Sequence, residues 1–281
     1  MSKLAHAAGL AYRHAGDAGA PAALLVHGYP ESSYMWTHAL AALAGAGWRA
    51  LAPDLPGYGD SELGAGGGSW ERHIDALDRF VGELDPGPVA LVTHDWGVPI
   101  GLRWACDRPG AAGALVISDG GFFSDRRWHD LANVMRTPEE GEKLIRAYTA
   151  EGFHAAMRAV SAGMSDAAIE HYWKAFADDE RRLAQLQLYR SGEFEKLVPY
   201  EGRLAALDLP ALILWGAQDR FAGVSMARRF HAELTGSELL VLEDAGHFVW
   251  DDEPERTCGA LVDFLSRRAS SVRSPSAGRA G

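Results

Sequence analysis

Three residues that could share one reaction follow three strand-like runs. Asp95 stands where the apolar run in LVTHDWGVPIG, residues 91–101, stops and a helical pattern begins. Asp219 comes after ALILW, and His247 after VLEDA. A residue on a sharp strand-to-helix turn is pushed out of the sheet, with the following backbone N–H groups beside it. The three types in this order suit a nucleophile (Asp95), an acid (Asp219) and a general base (His247) that the acid orients and stabilises as imidazolium. The N–H groups of Trp96 and of Tyr29, in HGYP, would form an oxyanion hole. Singly, Asp95 could be a helix cap and His247 an ordinary loop histidine. Their joint placement argues for catalysis.

A carboxylate restricts the bond it can usefully attack. On an ester it would give an anhydride, a poor intermediate. On a saturated carbon bearing a leaving group it gives an alkyl ester. Water activated by His247 can then attack the carbonyl of that ester, with the oxyanion hole holding the tetrahedral step. No G-x-S-x-G occurs in the chain, so ordinary esterase and lipase chemistry falls away.

The elements that must position these residues are short apolar runs alternating with helical patterns. That rhythm predicts an α/β fold, a mostly parallel sheet flanked by helices. Strands are expected at 22–27, 49–53, 89–93, 114–118, 211–215 and 238–242, with an antiparallel edge strand at 9–14. A helix over 70–84 would bury Ile74, Leu77, Val81 and Leu84. Another, opening at Pro254, would bury Cys258, Leu261, Val262 and Leu265. From about 121 to 207 no strand-like run occurs, only helical stretches rich in Trp, Tyr, Phe and His. This predicts a core of residues 1–120 and 208–268, with a helical cap over 121–207 inserted after the sixth strand. Ligands of open α/β sheets bind at the edge such a cap would cover. Residues 269–281 read as a solvated, disordered tail.

Composition narrows the partners. The 281 residues are 47% hydrophobic and 23% charged, ordinary for a soluble globular protein. A net charge of −11 argues against nucleic acid and anionic membrane partners. Cys106 and Cys258 read as buried thiols in a reducing compartment. Neither a secretory signal nor a membrane span is evident, which gives a cytoplasmic expectation. No metal-ligand spacing stands out, and GAGGG at 64–68 lacks the lysine of a phosphate loop, so neither cofactor nor metal is expected.

HGYPESSYMW, DLPGYGDS, THDWG, WGAQD and GHFVWDDEPE together resemble the α/β-hydrolase superfamily. Within it they are similar to the aspartate-nucleophile branch of epoxide hydrolases and haloalkane dehalogenases, over roughly 9–265. The resemblance implies Asp95 as nucleophile, Asp219 as acid and His247 as base. Some dehalogenases place the acid after the earlier strand, which makes Asp119 the alternative. Thr93 departs from the glycine usual at the elbow.

The two chemistries differ in what leaves. By resemblance, an epoxide hydrolase protonates the leaving oxygen with cap tyrosines, for which Tyr189 and Tyr148 are the candidates and Tyr172 a further one. A dehalogenase holds halide on indole or amide N–H groups, for which Trp96, Trp128 and Trp173 are available. Tyr29 in HGYP favours the epoxide side, since many dehalogenases carry asparagine there. THDWGVPIG also lacks the paired arginines of fluoroacetate dehalogenases. The leading expectation is an epoxide hydrolase acting on a small apolar or aromatic substrate, ahead of haloalkane dehalogenase. A cofactor-free oxygenase or a non-catalytic binder on the same fold is more remote.

Overall fold

The computed structural model describes residues 2–268, so the tail expected at 269–281 lies outside the described residues. Eight strands form one sheet: β1 Lys3–Ala7, β2 Leu10–Ala15, β3 Ala22–Val26, β4 Arg49–Pro53, β5 Val89–His94, β6 Ala112–Ser118, β7 Ala211–Gly216 and β8 Glu238–Leu242. Their order is β1-β2-β4-β3-β5-β6-β7-β8. β1 and β2 run antiparallel, and the remaining neighbours from β4 to β8 are parallel. Strands β3, β5, β6 and β7 are buried along their whole length. Parallel strands covered on both faces need such unbroken apolar runs, which is why they were visible in the sequence.

Two expectations require correction. The strand expected at 9–14 is present as β2, but it is not the edge. β1 lies outside it, paired from Lys3 opposite His14 to Ala7 opposite Leu10. Three of the five β1 residues are exposed, so an apolar run could not announce it. The helix Trp70–Leu84 forms as expected, but its deepest line is Trp70, His73, Ala76, Leu77 and Phe80. Ile74, Val81 and Leu84 are only half-buried flanks. Phe80 turns the helix by packing edge-on against Tyr12 of β2, with centroids 5.1 Å apart.

Between β6 and β7 the described chain is helical: Asp130–Arg136, Glu140–Arg146, Ala150–Val160, Asp166–Trp173 and Asp179–Ser191, then a 3-10 segment Phe194–Tyr200. Thr149, Ser165 and Asp178 start three of these by accepting the N–H of Gly152, Ala168 and Arg181. The helical unit is tied to the sheet's loops by polar contacts. His171 meets Ser32 Oγ at 2.8 Å, Lys174 donates to Asp60 at 2.6 Å, and Ser161 donates to Asp252 at 2.6 Å. GAGGG also has a structural use here. A Cβ on Gly68 would lie 2.4 Å from the Ala184 carbonyl oxygen, so glycine permits the helix Asp179–Ser191 to dock.

Register carries the carboxyl ends of the parallel strands to one edge. His94 is level with Ser118, Ser118 with Leu214, and Gly216 with Leu242. The residues that follow these ends therefore meet beneath the helices.

Candidate active site

Asp95 directly follows β5 with φ of +48°, a left-handed conformation that non-glycine residues adopt rarely and at a cost. The elbow survives because its neighbours leave it room. A Cβ on Gly28 would lie 2.4 Å from the Asp95 side chain, and one on Gly97 would lie 2.1 Å from the Val26 carbonyl oxygen. Thr93, where glycine is usual, is accommodated by a second glycine. Its methyl group occupies space 2.7 Å from where a Cβ of Gly101 would stand, and its hydroxyl donates to the Val116 carbonyl at 3.1 Å. Gly97→Ala is expected to cost about 1–3 kcal/mol through backbone overpacking, measured by urea unfolding. An unchanged midpoint would show that the elbow is not tightly packed.

Asp95 and His247 converge. The Tyr29 N–H donates to Asp95 Oδ1 at 2.7 Å, while His247 Nε2 stands 3.5 Å from Asp95 Oδ2. The other imidazole nitrogen, Nδ1, lies 2.8 Å from Asp219 Oδ2. Asp219 Oδ1 accepts the N–H groups of Phe221 and Ala222 at 2.7 and 2.9 Å, which fixes the carboxylate. One Asp95 oxygen is thus seated on a backbone donor, and the other faces the base. Trp96 caps the helix Gly97–Asp107, so its N–H is one the helix itself cannot satisfy.

The HGYP loop is held by a histidine of known tautomer. His27 Nε2 accepts the Leu55 N–H at 3.0 Å, so its Nδ1 carries the proton and meets the Gly28 carbonyl at 2.8 Å. Burial, the largest influence, brings its pKa down to about 4 and keeps it neutral.

Electrostatics favour an ion pair at the centre. Desolvation works against charge on His247, but Asp219 and Asp95 outweigh it and hold the imidazole well above its ordinary value. Desolvation likewise pushes Asp95 up, yet His247 and the Tyr29 N–H bring it below the usual carboxylate range. Asp119 behaves oppositely. It is buried, accepts the Gly216 N–H at 2.9 Å, and has no hydrogen bond to His247 among the described residues. Burial first, and the Asp219 charge second, raise its pKa well above the usual range. Of the two acids, the structure pairs His247 with Asp219.

A second buried acid and histidine lie below, to which the sequence reading gave no role. Glu31 Oε2 is 3.4 Å from His94 Nε2, and the His94 ring is 5.1 Å from that of His247. Burial drives the Glu31 carboxyl well above and the His94 imidazole well below their ordinary ranges, each toward its uncharged form. HGYPESS contains Glu31 and THDWG contains His94, but burial is the signal that singles them out.

Above the carboxylate is a cavity of about 340 Å³, lined by Asp95, His247, Tyr29, Tyr148, Tyr189 and apolar cap residues. That size suits a small-molecule site. Tyr189 meets Tyr29 edge-on at 5.2 Å and Trp96 at 5.3 Å. Tyr172 is elsewhere, fully buried with its hydroxyl on Asp251 at 3.3 Å. Trp173 is also remote, stacked on Phe176 and lining an outer groove. Trp128 stacks on Trp96 at 5.6 Å and borders a small recess beside Asp95.

The alpha/beta hydrolase family model matches residues 23–260. The chain belongs to that family. Within it, this hydrolase falls in the haloalkane dehalogenase and epoxide hydrolase-like branch. It is 28% identical to a haloalkane dehalogenase of Mesorhizobium japonicum over 274 residues, covering 91% of this chain and 87% of that one. It is 42% identical to epoxide hydrolase 3 of Siraitia grosvenorii over 99 residues, which is 34% of this chain and 31% of that one. A solved haloalkane dehalogenase, a loop variant of DbeA from Bradyrhizobium elkanii, superposes with a TM-score of 0.84 at 24% identity. That superposition covers 97% of the hydrolase and 99% of DbeA, and it speaks for the fold alone.

Proposed function

We propose that this hydrolase opens epoxides to vicinal diols through an ester on Asp95. The observation that carries this reading is that Tyr148 and Tyr189 both line the cavity containing Asp95. An epoxide oxygen leaves as an alkoxide and needs a proton. Burial raises both phenols, Tyr189 well above its ordinary value, so they hold their protons at neutral pH. Tyr189 meets the Trp96 ring edge-on at 5.3 Å, which sets a phenol beside the indole that a departing halide would need.

The steps balance. Asp95 Oδ2 attacks a ring carbon, the carbon–oxygen bond breaks, and the oxygen takes the proton of Tyr189. Esterification removes the Asp95 charge that helped to hold His247 protonated. The imidazolium returns its proton to the tyrosinate and becomes a neutral base. It then takes a proton from water that attacks the ester carbonyl. The oxyanion forms on Oδ1, already seated on the Tyr29 N–H. Collapse passes the remaining hydroxyl proton to the leaving oxygen, which releases the diol and restores the carboxylate beside the imidazolium.

Haloalkane dehalogenation is the second reading, favoured by the dehalogenase relatives and by the Trp96–Trp128 pair beside Asp95. A parallel screen of epoxides and haloalkanes, scoring diol and halide, separates the two. Diol formation is expected, and Tyr189→Phe should lower kcat for it by about 10²–10⁴. Halide release with no diol from any epoxide would overturn the epoxide reading.

A further inference from the structure

Arg126 is a charge beside the site that the reaction above does not use. It lies in SDRRW, the loop between β6 and the helix Asp130–Arg136. Its side chain packs over Gly121, where a Cβ would come within 2.6 Å of the arginine Cδ and of a terminal nitrogen. The guanidinium stands 5.1 Å from the Phe194 ring centroid. A bare backbone and an aromatic face therefore hold it in one place. It borders the recess that also contains Asp95, Trp96, Trp128 and Tyr189.

Among the described residues, no carboxylate forms an ion pair with Arg126. Its Nε is shut off from water without a hydrogen-bond partner. Arg136, Arg146 and Arg190 in the same cap are each paired, with Glu193, Asp179 and Glu142. The carboxylates that act on Arg126 through space are Asp95 and Asp219, both already engaged by His247. A partly desolvated guanidinium without a partner is costly, and its planar fork of donors matches a carboxylate.

We infer that Arg126 makes this recess an anion subsite, and that the substrate carries a carboxylate a few bonds from its epoxide ring. The second part rests on the epoxide reading. The recess has about 20 Å³ of free space, room for a small polar group and not for a chain. The larger cavity, with Phe153, Met157 and Val160 in its wall, takes the apolar remainder. Asp95 and Tyr189 border both spaces, so the reacting carbon sits between a charged head and an apolar tail. The substrate class is an epoxy carboxylate with an apolar chain.

The test compares kcat/KM for one epoxide as its carboxylate and as its primary amide, in the wild type, Arg126→Gln and Arg126→Lys. The carboxylate is expected to be preferred about tenfold or more in the wild type, with the preference lost in Arg126→Gln and partly kept in Arg126→Lys. A ratio taken within each variant is insensitive to the fraction folded. Equal ratios in the wild type and Arg126→Gln would overturn the inference. A second arm titrates sodium acetate and sodium bromide and follows tryptophan fluorescence, since Trp96 and Trp128 line the recess. Acetate saturation in the wild type that disappears in Arg126→Gln supports the carboxylate subsite. Saturation by bromide alone would identify a halide site and overturn the carboxylate assignment. If no epoxide is turned over, the epoxide reading fails, and the acetate titration still decides the subsite.

Discussion

Replacing His247 with glutamine is expected to stop the reaction half-way and leave the substrate on Asp95. Attack by Asp95 requires a carboxylate, and glutamine does not remove it. Hydrolysis of the ester requires a base for water, and glutamine cannot supply one. Turnover should fall by about 10²–10⁴. Intact mass of the protein should rise by the full mass of the epoxide, with the adduct in a peptide containing Asp95. No adduct from a substrate that the wild type turns over would sink covalent catalysis. The variant also predicts a pH dependence. In the wild type the imidazolium and the Tyr29 N–H keep Asp95 below the usual carboxylate range. Without the imidazolium, desolvation pushes Asp95 back up. Only the deprotonated form attacks, so adduct formation in His247→Gln should slow as pH falls through that raised value. The wild type's kcat/KM for the first step should hold to a lower pH.

The sheet could be read from the sequence because its central strands are covered on both faces and so contain unbroken apolar runs. β1 could not, since an exposed edge strand has no such run. The elbow was legible as a change of periodicity around Asp95, and His247 as a lone histidine after a strand. What sequence withholds is lateral contact. Asp119 and Asp219 both follow strand ends, and both strands reach the same edge of the sheet, so spacing alone leaves either able to serve His247. The cap tyrosines pose the same problem. Tyr148, Tyr172 and Tyr189 look alike in an aromatic-rich cap sequence, and only packing sends the first and third into the cavity. Arg126 was hidden for a further reason. Charged residues in a loop ordinarily face solvent, and nothing in SDRRW tells that Gly121 lets this one fold back toward Asp95.

Exchanging the two acids in turn should therefore give opposite results. In Asp219→Asn the Oδ1 position can still accept the N–H groups of Phe221 and Ala222, so the loop should keep its shape. The new amide, however, turns N–H donors toward His247 Nδ1. The imidazole must then present a lone pair at Nδ1 and a proton at Nε2, the wrong tautomer to accept a proton from water. It also loses the charge that stabilises the imidazolium. A fall in kcat of about 10²–10⁴ is expected, with ester accumulating on Asp95. Asp119→Asn should be mild. Burial, and the Asp219 charge after it, raise the Asp119 carboxyl well above the usual range, so a neutral amide of the same shape suits its place. Its Oδ1 contact with the Gly216 N–H can also persist. Stability gives an independent sign. Below the ordinary carboxylate range, folded and unfolded chains both hold the Asp119 proton, and it costs nothing. As pH rises through that range the unfolded chain releases the proton while the fold retains it, so stability falls until Asp119 itself ionises. Asparagine removes that penalty. Asp119→Asn should keep kcat within about threefold and unfold at an equal or higher temperature at pH 7. Loss of turnover in Asp119→Asn, with Asp219→Asn still active, would reverse the assignment of the acid.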